Sequence, residues 1–378
     1  MKTCCTQIHR FNPQADFAQN YRKGVSLHSH TMHSKEYLGR LPSYIAKFPV
    51  GSYIIEREVG RLHLYHGRII DFRRFYWTPP LSPREAYRLE SEQIERKLGL
   101  SALVSLSDHD TIEAGMHLRM LAETRNAPIS VEWSVPHGQA VFHIGVHNLP
   151  PARAAVWMKQ FAAFTAEPDS RKLRELLANL SSEPSVLIIL NHPFWDADSV
   201  GPEQHRNALR QFLSGFQWML HALELNGMRS RRENREVLRL GEELNLPLIS
   251  GGDRHGCEPN ATLNVTSAAD FNGFVAELRE ERRSTIVLMP QFFEPLRLRL
   301  LENAWHALAD APGEFGRRHW VTRVFIEDNG VIKPLSQFAG TRFLRMVEKF
   351  RWIMSLAANP LLRPALKLPF LGNEEGGI

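Results

Sequence analysis

Six short runs of aliphatic residues constrain this chain more than any other feature. They are LSALVSLSDHD (100–110), PISVEW (128–133), AVFHIGVH (140–147), SVLIILNHP (185–193), HALELNG (221–227) and LPLISGGDRHG (246–256). Each is rich in Val, Ile and Leu and gives way to polar or turn residues, the pattern of a buried strand. Helical stretches fall between several of them. In SPREAYRLESEQIERKLG (82–99) Ser82 can cap and Pro83 sits at the first turn; REVLRLGEELN (235–245) is a second. Strand, helix and strand repeated this often predict an α/β fold with mainly parallel strands, either a barrel or a doubly wound sheet. A length of 378 residues accommodates one large barrel or two ordinary domains.

Two segments depart from that rhythm. Residues about 37–78 are rich in Tyr, Arg and Gly, and SYIIEREVGRLHLYHGRIIDF alternates like a hairpin or meander, so this stretch reads as an insertion in the first loop. From about 291 onward the pattern turns helical and basic. The expected organisation is an N-terminal arm (1–23), a barrel (24–290) carrying the insertion, and a basic helical C-terminal extension (291–378). The formal charge of +5 is located in that extension: between Thr341 and Leu371, Arg342, Arg345, Lys349, Arg351, Arg363 and Lys367 face Glu348 alone. A nucleic-acid protein more often spreads such residues over its working face, so nucleic acid is not the favoured partner. Phe343, Met346, Val347, Phe350, Ile353 and Met354 fall on one face of a helix there. That face either packs on the barrel wall or lies on an anionic membrane surface. Three cysteines, two of them adjacent, provide neither a disulfide framework nor a paired zinc motif. No apolar run resembles a signal peptide or spans a bilayer, so the expected location is the cytoplasm, with peripheral membrane contact through the tail left open.

The metal-capable residues collect at the predicted strand ends. His28 and His30, in VSLHSHTMHS, stand two apart and so face one way on an extended strand, where two imidazoles can chelate one ion. Asp108, His109 and Asp110 end the next run, Glu132 ends PISVE, His143 lies in VFHIG and His192 ends VLIILNH. Asp253 and His255 end the last, again two apart. In a parallel barrel such positions converge on one rim. Any one of these histidines is ordinarily a core or surface residue. Burying the whole set without a ligand would cost several kcal/mol per unsatisfied group, on the order of transfer penalties for polar groups.

Taken in order, LHSHTMHS, LSDHDT, SVEWS, FHIG, LNHP, ALELNG and GGDRHG resemble the motifs of the PHP (polymerase and histidinol phosphatase) domain family of metal-dependent phosphoesterases, over roughly residues 24–290. The resemblance implies a distorted (β/α)7 barrel, an inserted β-rich segment, and a cluster of two or three divalent ions (Mn, Zn or Fe). His28, His30, Glu132 and Asp253 would hold the first ion. A bridging Glu132 with His143 and His192 would hold the second, with His147 as the runner-up, and His109 and His255 the third. Catalysis would run through His28, His30, Glu132, His192 and Asp253 and a metal-bridging hydroxide, with Asp108 and Asp110 supporting the ligands from behind. The implied substrate is a small phosphomonoester or nucleotide. A nuclease on oligonucleotide ends, a metal-dependent amidohydrolase and a non-catalytic metal-binding module recruited through its tail are the alternatives. The family usually reads Ser-Asp-Gly where this chain reads Ser34-Lys35-Glu36. Either Glu36 joins the third site, or the Lys35 ammonium stands in for its cation, or the site is empty; His33 is a weaker candidate there. Arg254 is the candidate contact to a substrate phosphate. Trp133, Phe194 and Trp195 flank ligands, where packing is a commoner role than stacking on a base. His63 and His66 read as surface residues.

Overall fold

A computed structural model describes residues 4–39, 71–310, 319–328 and 330–338, together with isolated residues of helical stretches within 53–60 and 344–355. In chain order come β1 (Cys5–Arg10), β2 (Lys23–Leu27), β3 (Glu36–Tyr37), β4 (Phe75–Trp77), α1 (Pro83–Leu98), β5 (Ser101–Ser105) and α2 (Glu113–Arg119). A hairpin of β6 (Val131–His137) and β7 (Ala140–His147) follows, then α3 (Ala154–Ala166), α4 (Ser170–Ser182), β8 (Leu187–Leu190) and α5 (Pro202–Phe216). Next are β9 (Ala222–Asn226), α6 (Arg231–Leu244), β10 (Leu248–Gly251), β11 (Thr262–Thr266), α7 (Phe271–Arg279) and β12 (Arg283–Leu288). Beyond them lie α8 (Leu296–Leu308), β13 (Val324–Asp328) and β14 (Val331–Pro334).

Local chemistry sets the boundaries of the two predicted helices. Ser82 accepts from the Glu85 amide while Glu85 reaches back to the Ser82 amide, and Gly99 ends α1 in the left-handed region at φ +66°. Ser230 and Glu233 form the same reciprocal cap on α6, which begins four residues before the predicted stretch and ends at a left-handed Asn245.

Among the described residues the strands form a sheet ordered β1-β12-β11-β2-β5, a second ordered β10-β9-β8-β7-β6, and a small third, β14-β13-β4-β3. The mixed α/β class is as expected. The closed barrel is not. Val25 and Leu27 of the first large sheet pack against Leu187, Ile189, Ala222 and Ile249 of the second. Among the described residues the backbones of the two join at seams, through single bridges between His109 and Glu132 and between Ser29 and Arg254. A few backbone bonds reinforce them, such as Asp110 N–H to Glu132 O (3.0 Å) and Asp253 N–H to His28 O (2.6 Å). The ladders stop there because His28, Asp110 and Asp253 take φ of +60°, +52° and +51°, which no extended strand can continue. Parallel pairing is also less general than predicted. β7 runs antiparallel to both β6 and β8, and β11 antiparallel to β2 and β12. Gly138 and Gln139 are all that separate β6 from β7, too short a link for a parallel crossover.

The main core lies where the β6–β7–β8 face meets α3, α4 and α5, with Trp133, Trp157, Phe161 and Phe212 fully buried. In the small sheet, β4 from the end of the 37–78 segment pairs with β13 from beyond residue 291. Leu344 and Val347 pack on that sheet against Phe75, Trp320, Ile326 and Leu335. Of the predicted amphipathic face only Val347 is described. Of the basic tail, Arg345 and Lys349 are exposed, and Arg351 donates to Glu348 at 2.9 Å and stands 3.6 Å from Asp310. The remaining face and tail residues, and His63 and His66, lie outside the described residues. Among the described residues no helix is long and apolar enough to cross a membrane.

Candidate metal centre

The site is built from residues at and just past strand ends. His28 and His30 follow β2, His109 follows β5, His192 follows β8, and Asp253 and His255 follow β10; Glu132 and His143 lie within β6 and β7, and Glu36 opens β3. His28, Asp253 and His192 (φ +27°) all hold positive φ. Non-glycine residues in that region cost on the order of 1–3 kcal/mol each and persist where surrounding structure over-determines them. Simple strand alternation therefore does not explain why His28 and His30 converge; the left-handed turn at His28 does.

Glu132, fully buried, is the centre. Its Oε2 lies 3.0 Å from His28 Nε2, 3.3 Å from His30 Nε2 and 3.2 Å from His109 Nδ1. Its Oε1 lies 3.0 Å from His192 Nε2 and 3.3 Å from His143 Nδ1. Asp253 Oδ1 stands 3.6 and 3.5 Å from the Nε2 atoms of His28 and His30. On the open side, Glu36 Oε2 is 3.2 Å from His255 Nε2 and 3.5 Å from His109 Nε2, and Glu36 Oε1 is 3.8 Å from His30 Nδ1. All nine residues offered as ligands by the sequence thus come together. They form overlapping donor groups: His28–His30–Glu132, His28–His192–Asp253, His109–Glu132–His143 and His30–Glu36–His109–His255.

A test of fit comes from buried atoms with no hydrogen bond. His28 Nε2, His30 Nε2, His143 Nδ1 and Glu132 Oε2 lack a hydrogen-bond partner despite their short separations, because the atoms point toward shared space and not along each other's N–H directions. Each such group costs roughly 1–3 kcal/mol if nothing satisfies it. Ligands about 2.0–2.2 Å from a Zn-like ion stand roughly 3–3.5 Å from one another, close to the separations here. Imidazole and carboxylate donors together suit Mn, Fe or Zn better than Ca. The donor set fits divalent cations.

Burial opposes the charged form of His28, yet Glu132, Glu224 and Asp253 outweigh it and raise its pKa well above the ordinary value. Burial likewise opposes ionisation of Glu132, but His28, His109 and His143 hold it well below the usual carboxylate range. Burial pushes His109 down to about 4, while Glu36 and Asp253 overcome burial at His255 and lift it to about 9. Lone carboxylates and imidazoles thus stabilise one another's charge where a cation would otherwise do so.

One carboxylate, one carboxamide and one guanidinium that the sequence pattern does not mark complete the setting. Glu224, between Leu223 and Leu225 in β9, accepts from His28 Nδ1 at 2.5 Å and from the His192 amide at 3.0 Å. By holding the Nδ1 proton it leaves Nε2 as the nitrogen that would present a lone pair to a bound cation once the ring is neutral. The available signal was a glutamate in a strand buried on both faces, which demands a partner. Asn191 donates to Glu132 Oε1 at 3.0 Å. Arg229 donates to Asp253 Oδ2 at 3.1 Å, with its guanidinium 4.2 Å from the Trp195 ring centroid. No periodicity marks Arg229, because it lies in the loop after β9.

Other predicted positions resolve differently. Arg254 turns away from the cluster, is 1% exposed, and donates to Glu90 at 2.5 Å and to the Gly256 carbonyl. Its neighbours Asp253 and His255 face the site, so its own side chain faces the opposite way. Asp108 accepts from the Thr31 amide (2.5 Å) and hydroxyl (2.7 Å), and Asp110 accepts from the Ser134 amide (2.8 Å). His147 accompanies no donor group and pairs with Ser105 Oγ at 2.8 Å. Of the Lys35–Glu36 alternatives, the carboxylate is the one at the site; Lys35 Nζ stands 5.2 Å from the Tyr76 ring centroid. Trp133 stacks on Phe161 and Phe194 packs on the main core, while Trp195 sets its ring against His143 and His192.

No family model and no curated protein matches the chain. Among solved structures, one similar chain is a protein from Bifidobacterium adolescentis provisionally described as a metal-dependent phosphoesterase. It has 14% identity and a TM-score of 0.32, over 48% of this chain and 85% of that one. Another is an amidohydrolase from Chromobacterium violaceum with bound sulfate and no metal, at 16% identity and a TM-score of 0.34, over 47% and 84%. Likenesses this distant assign no activity, so the chemistry rests on the site's own residues.

Proposed function

We propose that the protein is a metal-dependent phosphoesterase that hydrolyses a small phosphomonoester or nucleotide. The observation that supports this most is the set of buried donor atoms without hydrogen bonds at the centre: Glu132 Oε2 with His28 Nε2, His30 Nε2 and His143 Nδ1 around the carboxylate. Divalent cations bound there would lower the pKa of a water and neutralise charge on phosphate oxygens. The chain's residues supply the rest. Glu132 offers one oxygen to each of two donor groups and so sets their spacing. Glu224 holds the His28 Nδ1 proton, and Asn226 and Arg229 orient Asp253 through its Oδ2. Glu36, His109 and His255 are 13, 15 and 18% exposed, whereas Glu132 is sealed, so a substrate approaches from their side. Arg229 adds a fixed cation beside Asp253, with its Nε lacking a hydrogen-bond partner. That placement favours an anionic substrate over a neutral amide.

The test is turnover by protein loaded separately with Mn2+, Zn2+ and Fe2+, offered phosphomonoesters, dinucleotides, short oligonucleotides and neutral amides. Phosphate release from monoesters that stops on chelation is the expected result. Preference for oligonucleotide ends would make it a nuclease, and cleavage of amides alone an amidohydrolase. Full metal loading without turnover would leave a metal-binding module.

A further inference from the structure

A second donor set lies on the far side of the turn that leaves the metal centre. His33, three residues past His30, faces Glu113 and His117, which stand one helical turn apart on α2 and therefore share a face. His33 Nδ1 lies 3.2 Å from Glu113 Oε2, and His33 Nε2 lies 3.1 Å from His117 Nδ1. The two rings meet edge to face with centroids 4.7 Å apart. One donor atom from each of the three residues lies within 4.8 Å of the others, and none of the three belongs to the groups around Glu132 and Glu36.

We infer that His33, Glu113 and His117 form a separate site for one Zn2+ or similar late divalent ion. Two imidazoles and a carboxylate are a complete three-residue set for a tetrahedral ion whose fourth position is water. One ion takes a single nitrogen of His33, and one donor atom of each residue already lies within 4.8 Å of the others, so rotation of the exposed Glu113 and His117 side chains closes the set to the roughly 3.3 Å spacing of donors about 2.0–2.1 Å from such an ion. The set is also partly assembled in advance. The His33 amide donates to Thr31 Oγ1 (3.3 Å), and Thr31 is itself held by Asp108, so binding orders mainly the exposed side chains of Glu113 and His117. An ion here would tie the 31–34 turn to α2. That turn ends at Ser34, whose hydroxyl donates to Glu36 and accepts from the His109 amide. The peripheral ion would therefore stiffen the rim of the main centre without sharing a ligand with it.

The same separations would also suit a metal-free chain of hydrogen bonds from Glu113 through His33 to His117, and zinc counting separates the two. The intact protein is dialysed to equilibrium against Zn2+, and bound metal is measured for wild type, Glu113→Gln, His117→Ala and His33→Gln. Each variant should bind one equivalent less than wild type while retaining the remainder. Glu132→Ala should keep the peripheral equivalent. Glu113 and His117 lie on the surface, so circular dichroism of their variants should match the wild type. Equal counts in wild type and the Glu113 and His117 variants overturn the inference. Loss of two or more equivalents in those variants overturns it as well, since the site would then not be separate.

Discussion

At the scale of the residue, Glu132 carries the greatest consequence because both of its oxygens are engaged. His30→Ala, Glu132→Ala and Asp253→Ala should each abolish phosphate release and reduce bound metal while circular dichroism stays native. Glu132→Ala should lose the most metal, since it faces two donor groups. Full activity in any of the three would remove the proposed mechanism. The neighbouring choice between Lys35 and Glu36 has its own signature. Glu36 touches His30, His109 and His255, whereas Lys35 lies over Tyr76. Glu36→Gln should reduce metal stoichiometry and lower turnover about 10–100-fold, the scale seen in affinity or activity when a carboxylate partner at a metal site is lost. Lys35→Ala should change either by less than about twofold. The opposite ranking in metal counts and kinetics would make Lys35 the functional group. His28, His30, Asp253 and His255 could be found from the sequence because each pair brackets one residue at the end of an apolar run. Glu224 and Arg229 could not. Glu224's role depends on which strand lies beside β2's end, and Arg229's on where a loop returns.

At the scale of the element, α1 shows how a helix outside the site supports it. Its capping box at Ser82 and glycine stop at Gly99 were readable from residue types, and both form. Less readable was its buried Glu90, which accepts from Arg254 at 2.5 Å and from Ser26 at 2.5 Å. Arg254 lies between two residues of the centre, so Glu90 anchors the loop that carries Asp253 and His255. Removing one partner of a buried ion pair strands the other, a cost of roughly 3–5 kcal/mol. Glu90→Ala should therefore lower stability by about that much in urea unfolding. Metal affinity should fall with it, because the loop loses its anchor. A change under about 1 kcal/mol would mean that Arg254 finds another partner or water. The strands teach the converse lesson. Apolar runs located them well, but a run buried on both faces reads the same in either direction. The antiparallel course of β7 was written instead in the brevity of the link at Gly138 and Gln139.

At the scale of the whole molecule, the residues that interrupt the sheets are those that build the centre. The left-handed turns at His28 and Asp253 end the ladders at one seam and present donors to the cluster. A sequence pattern reports runs and spacings, so it could place ligands near strand ends but not reveal that the ends would leave the ladder. Within the second sheet another histidine ties stability to pH. His221 Nδ1 accepts the Ile188 amide at 3.0 Å and so joins the start of β9 to β8. Burial, and then the Arg279 cation, push its pKa from 6.5 down to about 3. The folded protein therefore holds His221 neutral where the unfolded chain would protonate it. Its contribution is complete above pH 6.5 and is lost as pH falls toward 3, because the unfolded state binds the extra proton across that window. One group can give a slope of at most about 1.4 kcal/mol per pH unit. His221→Asn keeps an acceptor near Ile188 but does not titrate. Stability curves of the two proteins should run parallel above pH 6.5, with the wild type falling more steeply below it. Carboxylates and the other histidines are common to both, so their effects cancel in the difference. Curves that stay parallel down to pH 3 would show that His221 is protonated at no greater cost in the fold than in the unfolded chain.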